Sequence, residues 1–293
     1  MSPYSLRSRI LAWAACLAAL GQSSLSHAEP PAAAVAPLHL ESRLTAASPP
    51  TLAAPLLIGQ QLHFPLWNEL GLWSSVPRAL PGLEKIQRPG IPAYDRTTHA
   101  WYASAQGALV RIEGDGRLTV VVDNVQGIDV DVRGALKRAV SREPNDTIVL
   151  HDWGSSPASH KVLLAGTGFF GPRFSPDGST ILVRESRATA GHMWTVSLDG
   201  TASDWGEGDD PVWHPNGRHI VFDRVTTHDG LTVAASDLWV LDTVSRSVRL
   251  LAQTQAIAEV QPAISPDGKW VAYADARTGE GHVSQLAIAR GAR

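Results

Sequence analysis

Residues 172–184 read PRFSPDGSTILVR, and the same phrase returns as PVWHPNGRHIVFD at 211–223 and PAISPDGKWVAYA at 262–274. Aligned on Gly178, Gly217 and Gly268, the three copies place proline six residues earlier (Pro172, Pro211, Pro262) and a large apolar residue four residues earlier (Phe174, Trp213, Ile264). The centre of each copy is a turn: Pro176-Asp177-Gly178, Pro215-Asn216-Gly217 and Pro266-Asp267-Gly268. Proline supplies the φ of a type I turn, Asp or Asn can bond its own backbone, and glycine can take φ > 0. That order predicts a hairpin closed by a type I turn and a glycine bulge. Strand-forming residues follow each glycine, as in Ile181-Leu182-Val183, Ile220-Val221-Phe222 and Val271-Ala272-Tyr273.

Further strands are predicted after each hairpin. MWTVSLDG (193–200), DLWVLDTV (237–244) and SQLAIARG (284–291) read as third strands, and VRLLAQ (248–253) as a fourth. Four strands in succession make one twisted antiparallel sheet that cannot bury both faces alone, so copies stack around an axis. The glycines are spaced 39 and 51 residues apart, near the length of a propeller blade. The longer interval contains TTHDGLTVAAS (226–236), which extends one loop.

Upstream, GIDVDVRGALKRAVSRE (127–143), TIVLHDW (147–153) and HKVLLAG (160–166) read as a blade whose turn has shrunk to VRG. IPAYDRTTHAWYAS (91–104), ALVRIEG (108–114) and RLTVVVD (117–123) read as another. The expected fold is therefore all-β, a β-propeller of four-stranded antiparallel blades with five blades visible and a sixth possible within 65–90. The last blade lacks a fourth strand, and LLIGQQLHF (56–64) is the expected donor, covering an otherwise open edge.

The start of the chain reads differently. Arg7 and Arg9, the apolar run Ile10–Leu20 and the Ser26-His27-Ala28 triplet have the pattern of a signal peptide over residues 1–28. Its apolar run is too short to cross a bilayer, so export is expected rather than a membrane span, with a periplasmic or secreted product. A lipidated Cys16 is the rival reading. Residues 29–55, rich in Pro and Ala, read as a flexible leader, and 56–293 as the propeller. Cys16 is the sole cysteine, so the exported chain would fold without disulfides. Without Arg7 and Arg9 the chain carries 23 basic against 28 acidic residues, a balance that argues against nucleic acid as partner.

The PxFSPDG-x-x-I-x-F pattern, borne by residues 168–291, resembles the WD-type repeat of TolB-like propellers. Members of that group include a periplasmic Tol-system protein and the propeller domains of exported peptidases and pectin-degrading lyases. The resemblance implies a propeller and an envelope setting. It implies no particular chemistry: the α/β domain that precedes the propeller in TolB is not expected in the Pro/Ala leader and short segment that stand before the blades here, and the chain contains no G-x-S-x-G nucleophile motif.

Connections in such blades alternate between the two ends of the sheet. The SPDG turns fall at one end; links between blades and between second and third strands fall at the other. The second end gathers the candidate binding residues Asp129, Asp210 and Gln261, which enter first strands, with His192 and His282 at the start of third strands and His228 in the long loop. Each also has a structural reading. Asp209 and Asp210 can be solvated surface, Gly-His pairs can be turn chemistry, and His151 and His160 flank DWGSSPAS, whose Asp152 and Trp153 read as ordinary strand-end residues. No Cys/His group with zinc spacing occurs, a calcium site would need more oxygens than the loop at 206–210 offers, and no cofactor is implied. Trp101, Trp153, Trp194, Trp213, Trp239 and Trp270 recur at strand positions as packing residues, whereas Trp67, Trp73 and Trp205 lie in less regular surroundings. The function expected is an exported, non-catalytic propeller that binds a protein or envelope component through one end of its blades. The alternative is a polysaccharide-active enzyme of the propeller-lyase kind.

Overall fold

Where the sequence alternates apolar and polar residues between Gly-, Pro- and Asp-rich punctuation, the chain forms strands. The computed structural model describes residues 92–95, 97–127, 129–166, 168–187, 190–227, 233–252, 256–278 and 281–288, with the backbone of five short strands nearer the start. Those five are β1 (Leu40–Arg43), β2 (Leu56–Ile58), β3 (Gln61–His63), β4 (Leu66–Trp67) and β5 (Trp73–Ser74). The stretch read as a signal peptide lies outside the described residues.

Four-stranded antiparallel sheets then follow in chain order. The first comprises β6 (Ala93–Asp95), β7 (Ala100–Ala105), β8 (Ala108–Ile112) and β9 (Leu118–Asp123); the second, β10 (Asp129–Arg133), β11 (Arg138–Arg142), β12 (Ile148–Asp152) and β13 (Ser159–Leu164). The third comprises β14 (Phe169–Phe174), β15 (Thr180–Ser186), β16 (Gly191–Ser197) and β17 (Ala202–Glu207); the fourth, β18 (Asp209–Trp213), β19 (His219–Thr227), β20 (Val233–Asp242) and β21 (Val248–Ala252). The fifth has β22 (Glu259–Ile264), β23 (Trp270–Asp275) and β24 (Gly281–Gln285), and its outermost strand is β1. These five sheets are the blades of a β-propeller.

Two details depart from the sequence reading. The strand that covers the edge of β24 is Leu40–Arg43, inside the supposed leader, and not 56–64. LESR has no proline to interrupt a ladder, whereas the 56–63 run is split by Gly59-Gln60, a pair suited to a two-residue hairpin link, and β2 pairs with β3 instead. In the 65–90 region, β4 and β5 form another two-stranded pairing. The third strand of the last blade also begins earlier than SQLAIARG suggests, because Gly281 to Gln285 pair with Ala274 to Trp270.

Described residues 92–213 belong to one compact unit, and those from 214 onward, with Leu40–Arg43, to a second. In the first unit the blades stack by burying both faces of their strands. Ala139 joins Tyr102, Leu109, Val122, Val130 and Val132 between the first and second blades. Its neighbour Val140 points the other way and joins Ile148, Leu150, Phe169, Phe174, Ile181 and Val196 between the second and third. Each such large side chain contributes about 1.5–3 kcal/mol by leaving water. Trp153 and Trp194 pack against these two clusters, and in the second unit Trp270 packs against Ala263, Ala272 and Val283. Trp205 is only partly exposed, and its indole N–H donates to Thr195 Oγ1 at 2.8 Å.

The repeated turn explains its own sequence. Gly178, Gly217 and Gly268 have φ of +73°, +70° and +73°. In the third blade the Gly178 N–H donates to the Ser175 carbonyl at 2.9 Å, and Asp177 Oδ1 accepts from the Ser175 hydroxyl and the Ser179 N–H. Ser265, Asp267 and Gly268 repeat this in the fifth blade. In the fourth, His214 replaces serine, its Nδ1 accepting from Asn216 N and its Nε2 lying 3.0 Å from the Gly268 carbonyl oxygen.

Candidate functional site

The proline six residues before each turn glycine is itself preceded by a residue with positive φ: Gly171 (+60°), Asp210 (+43°) and Gln261 (+55°). The bulge is therefore a fixed part of the repeat. Ladder register shifts there in β14 and in β22. A left-handed bulge turns one backbone N–H out of the ladder, and that donor needs an acceptor.

Carboxylates supply it. In the first unit Asp129 Oδ2 accepts the Gly171 N–H at 2.9 Å while its Oδ1 accepts from Arg173 Nη1 at 3.0 Å. Asp131 Oδ2 accepts the Phe174 N–H at 2.8 Å. Burial works against the Arg173 charge, but Asp129 and Asp131 outweigh it and hold the guanidinium above its ordinary range. Thus β10 fastens the first strand of the next blade through two carboxylates. In the second unit the fully buried Asp223 accepts the Gln261 N–H through Oδ1 at 3.2 Å.

Of the other candidates, Asp210 sits half-buried at the bulge of β18. Its neighbour Asp209 is buried and pairs with Arg184, and a Cβ on Gly191 would collide with both. His192 lies at the open end of β16, with Nδ1 3.3 Å from Asp204 Oδ1 and Nε2 3.2 Å from Arg187 Nη1. Arg187 also donates to Glu185 at 2.8 Å, which with Asp204 raises its pKa. Burial opposes ionisation of Asp204, but the Gly206 N–H and His192 lower its pKa overall. His282 is buried and stacks on Tyr273, ring centroids 5.5 Å apart. The Tyr273 phenol is pushed up to about 12 by burial and by the nearby charge of Glu259, against a weaker opposing bond from Ser284. His228 lies outside the described residues.

Asp129 and His192 therefore serve different neighbours within the first unit, while Gln261 and His282 lie in the second. Sequence reading singled out His151 and His160 but set them aside as structural, and so did not see the constellation they belong to. His151 and His160 are direct cross-strand partners, and the line continues inward from His151 to Ser141 and Glu143. The signal was available: two histidines placed symmetrically about a loop become opposite residues when that loop closes a hairpin. Among the described residues no group of three or more His, Cys, Asp or Glu is arranged to hold a metal, and no helix is long and apolar enough to cross a membrane.

No protein-family model matches the chain, and no curated protein matches its sequence. Solved structures do match in fold. TolB from Acinetobacter baumannii aligns with a TM-score of 0.53 at 14% identity over 81% of this chain, which spans 62% of that one. A chain of a nidogen/laminin complex aligns with a TM-score of 0.57 at 12% identity, covering 80% of this chain and 88% of that one. An oligogalacturonate lyase from Vibrio parahaemolyticus covers 84% and 91% at 13% identity, but its TM-score of 0.41 carries no weight. At such identities the likeness concerns architecture alone. The structural neighbours of this chain are TolB-like β-propeller proteins, and it shares their fold.

Proposed function

We propose that the protein is an exported, non-catalytic propeller that binds a protein or envelope component through the end of its blades where the first and third strands of each blade begin. One observation carries this reading. Asp129, at the entrance to β10, spends both oxygens on the Gly171 N–H and on Arg173 of the next blade's first strand, and Asp209, at the entrance to β18, pairs with Arg184. Groups committed in this way stiffen a surface and are poorly disposed to exchange protons with a substrate. Support also comes from the signal-like residues 1–28, from the TolB-like neighbours and from a neighbour whose structure is that of a protein complex.

Photo-crosslinking amino acids at His192 and Gln261, compared with the same probes at Val244 and Ser245 in a turn at the opposite end of a blade, test the assignment in cells. Discrete adducts with envelope components from the first pair alone are expected. Equal labelling from both pairs, or retention of the chain in the cytoplasm with residues 1–28 intact, overturns it. Turnover of an oligosaccharide by the purified chain, abolished by His192→Ala or His282→Ala, would instead make it an enzyme.

A further inference from the structure

The constellation on the second blade supports a separate assignment. The register of β12 and β13 sets His151 opposite His160, their Nδ1 atoms 2.8 Å apart. His160 lies exposed on the blade's outermost strand; His151 is buried, 1% exposed. Behind His151, its Nε2 is 2.7 Å from Ser141 Oγ and 3.5 Å from Glu143 Oε1. The Ser141 hydroxyl donates to Glu143 Oε1 at 2.5 Å, and Glu143 Oε2 accepts the Gln126 N–H at 2.9 Å.

Counting protons fixes the tautomer. The serine hydroxyl has one hydrogen and spends it on the carboxylate, so toward His151 it accepts, and Nε2 carries the proton. In that tautomer His151 turns the lone pair of Nδ1 toward His160.

We propose that His151 and His160 are the two protein ligands of a site for a borderline divalent transition metal, of the zinc and copper class, at the outer edge of the second blade. Imidazole nitrogens suit such ions. A ligating histidine usually donates its other N–H to an anchoring acceptor, and Ser141 with Glu143 provides one. Metal–nitrogen bonds of about 2.0–2.1 Å around a tetrahedral ion place two nitrogens about 3.3 Å apart, so the pair must open by only about 0.5 Å. His160 can make that movement because its ring is exposed. Water fills the remaining positions, in keeping with the absence of a third grouped ligand among the described residues. Binding a cation through both Nδ1 atoms moves the His160 proton from Nδ1 to Nε2 of the same exposed ring.

The test is calorimetric titration of the untagged full chain with Zn2+ and Cu2+, with the electron paramagnetic resonance spectrum of the Cu2+ form as a second readout. Saturable binding of one ion is expected, with two-nitrogen hyperfine structure, loss of that binding in His160→Ala and about tenfold weakening in Glu143→Gln. His99→Ala, altering an exposed histidine elsewhere, leaves it unchanged. His160→Gln keeps a polar surface residue and serves as the second variant if the alanine form melts early. Unaltered affinity in both His160 variants, or no saturable uptake of either ion by the wild type, overturns the proposal.

Discussion

Two chain reversals in the first unit do the same work with opposite means. Between β14 and β15 the turn is Ser175-Pro176-Asp177-Gly178, and nearly every bond that shapes it comes from its own residues. Between β10 and β11 the reversal is Gly134–Leu136 in a single 3-10 turn followed by Lys137 at φ +53°, with neither proline nor a left-handed glycine. Its anchors are borrowed. Asp95 Oδ2 accepts the Gly134 N–H at 2.9 Å, Arg138 pairs with Asp152 at 2.9 Å, and Arg133 Nη2 reaches the Phe174 and Ser175 carbonyls. One turn is written locally; the other is held in place by its neighbours. Perturbing the first should disturb the turn alone, whereas perturbing the second should be felt where the anchors originate.

The largest effect expected is at Gly178. A β-branched residue there meets a left-handed backbone, and its Cβ would also come within 2.6 Å of Leu136 Cδ1. Leu136 can swing aside, so strain dominates, and Gly178→Val should cost about 2–4 kcal/mol in urea or thermal unfolding. Gly217→Val offers a control, because φ is nearly the same and nothing stands within 4 Å of its Cβ. If the two cost the same, contact with the neighbouring turn adds nothing.

For the borrowed turn the matching test is remote in sequence. Asp95 is 1% exposed and accepts from Thr97 N, Thr98 Oγ1 and Gly134 N. Asp95→Ala strands these donors and should cost about 2–3 kcal/mol. Hydrogen exchange should quicken at Gly134 as well as at Thr97. Loss of protection confined to the Thr97 turn would show that the second-blade reversal stands unaided, and the contrast between the two turns would fail.

Lys137→Gly should act in the other direction. Glycine adopts φ +53° without the steric penalty, so the variant should gain about 0.5–1 kcal/mol. No gain would mean that the lysine side chain, which packs near Gly154, offsets its own backbone strain.

These turns also show what was legible in the sequence. SPDG names a φ, a donor and an acceptor within four residues, so the hairpin could be read without neighbours. At VRG the glycine is visible but its reason is not. Gly134 is needed because Asp95 Oδ2 and Tyr102 Oη leave no room for a Cβ, at 2.7 Å each, while the left-handed residue is Lys137. The closing strand was missed for a related reason: Leu40–Arg43 looks like four residues of a Pro/Ala leader until β24 offers it an edge. The bulges at Asp210 and Gln261 were equally hidden, since only the Gly171 copy carries the residue type that favours positive φ. Asp129 was found by its place at a strand entrance, but its partners 42 and 44 residues away were beyond any local pattern.

The smallest effect separates the two turns by pH. The Ser175 hydroxyl, and after it the Ser179 N–H, hold the Asp177 carboxyl below its ordinary pKa of 3.8. The reversal at 134–137 contains no carboxylate. With a folded pKa below the unfolded one, the contribution of Asp177 is complete above about pH 4 and drains away as acid protonates first the unfolded and then the folded chain. Asp177→Asn keeps an oxygen acceptor but removes that titration. Its deficit against wild type should therefore be measurable at about pH 6 and shrink as the pH falls below the ordinary carboxylate range and through the lowered pKa of the folded chain. Lys137→Gly should keep its gain across the same range, because the backbone strain it relieves at φ +53° involves no titrating group. A deficit in Asp177→Asn that stays constant with pH would mean the carboxylate acts there as a shape and not as a charge, and that the locally written turn depends on geometry alone.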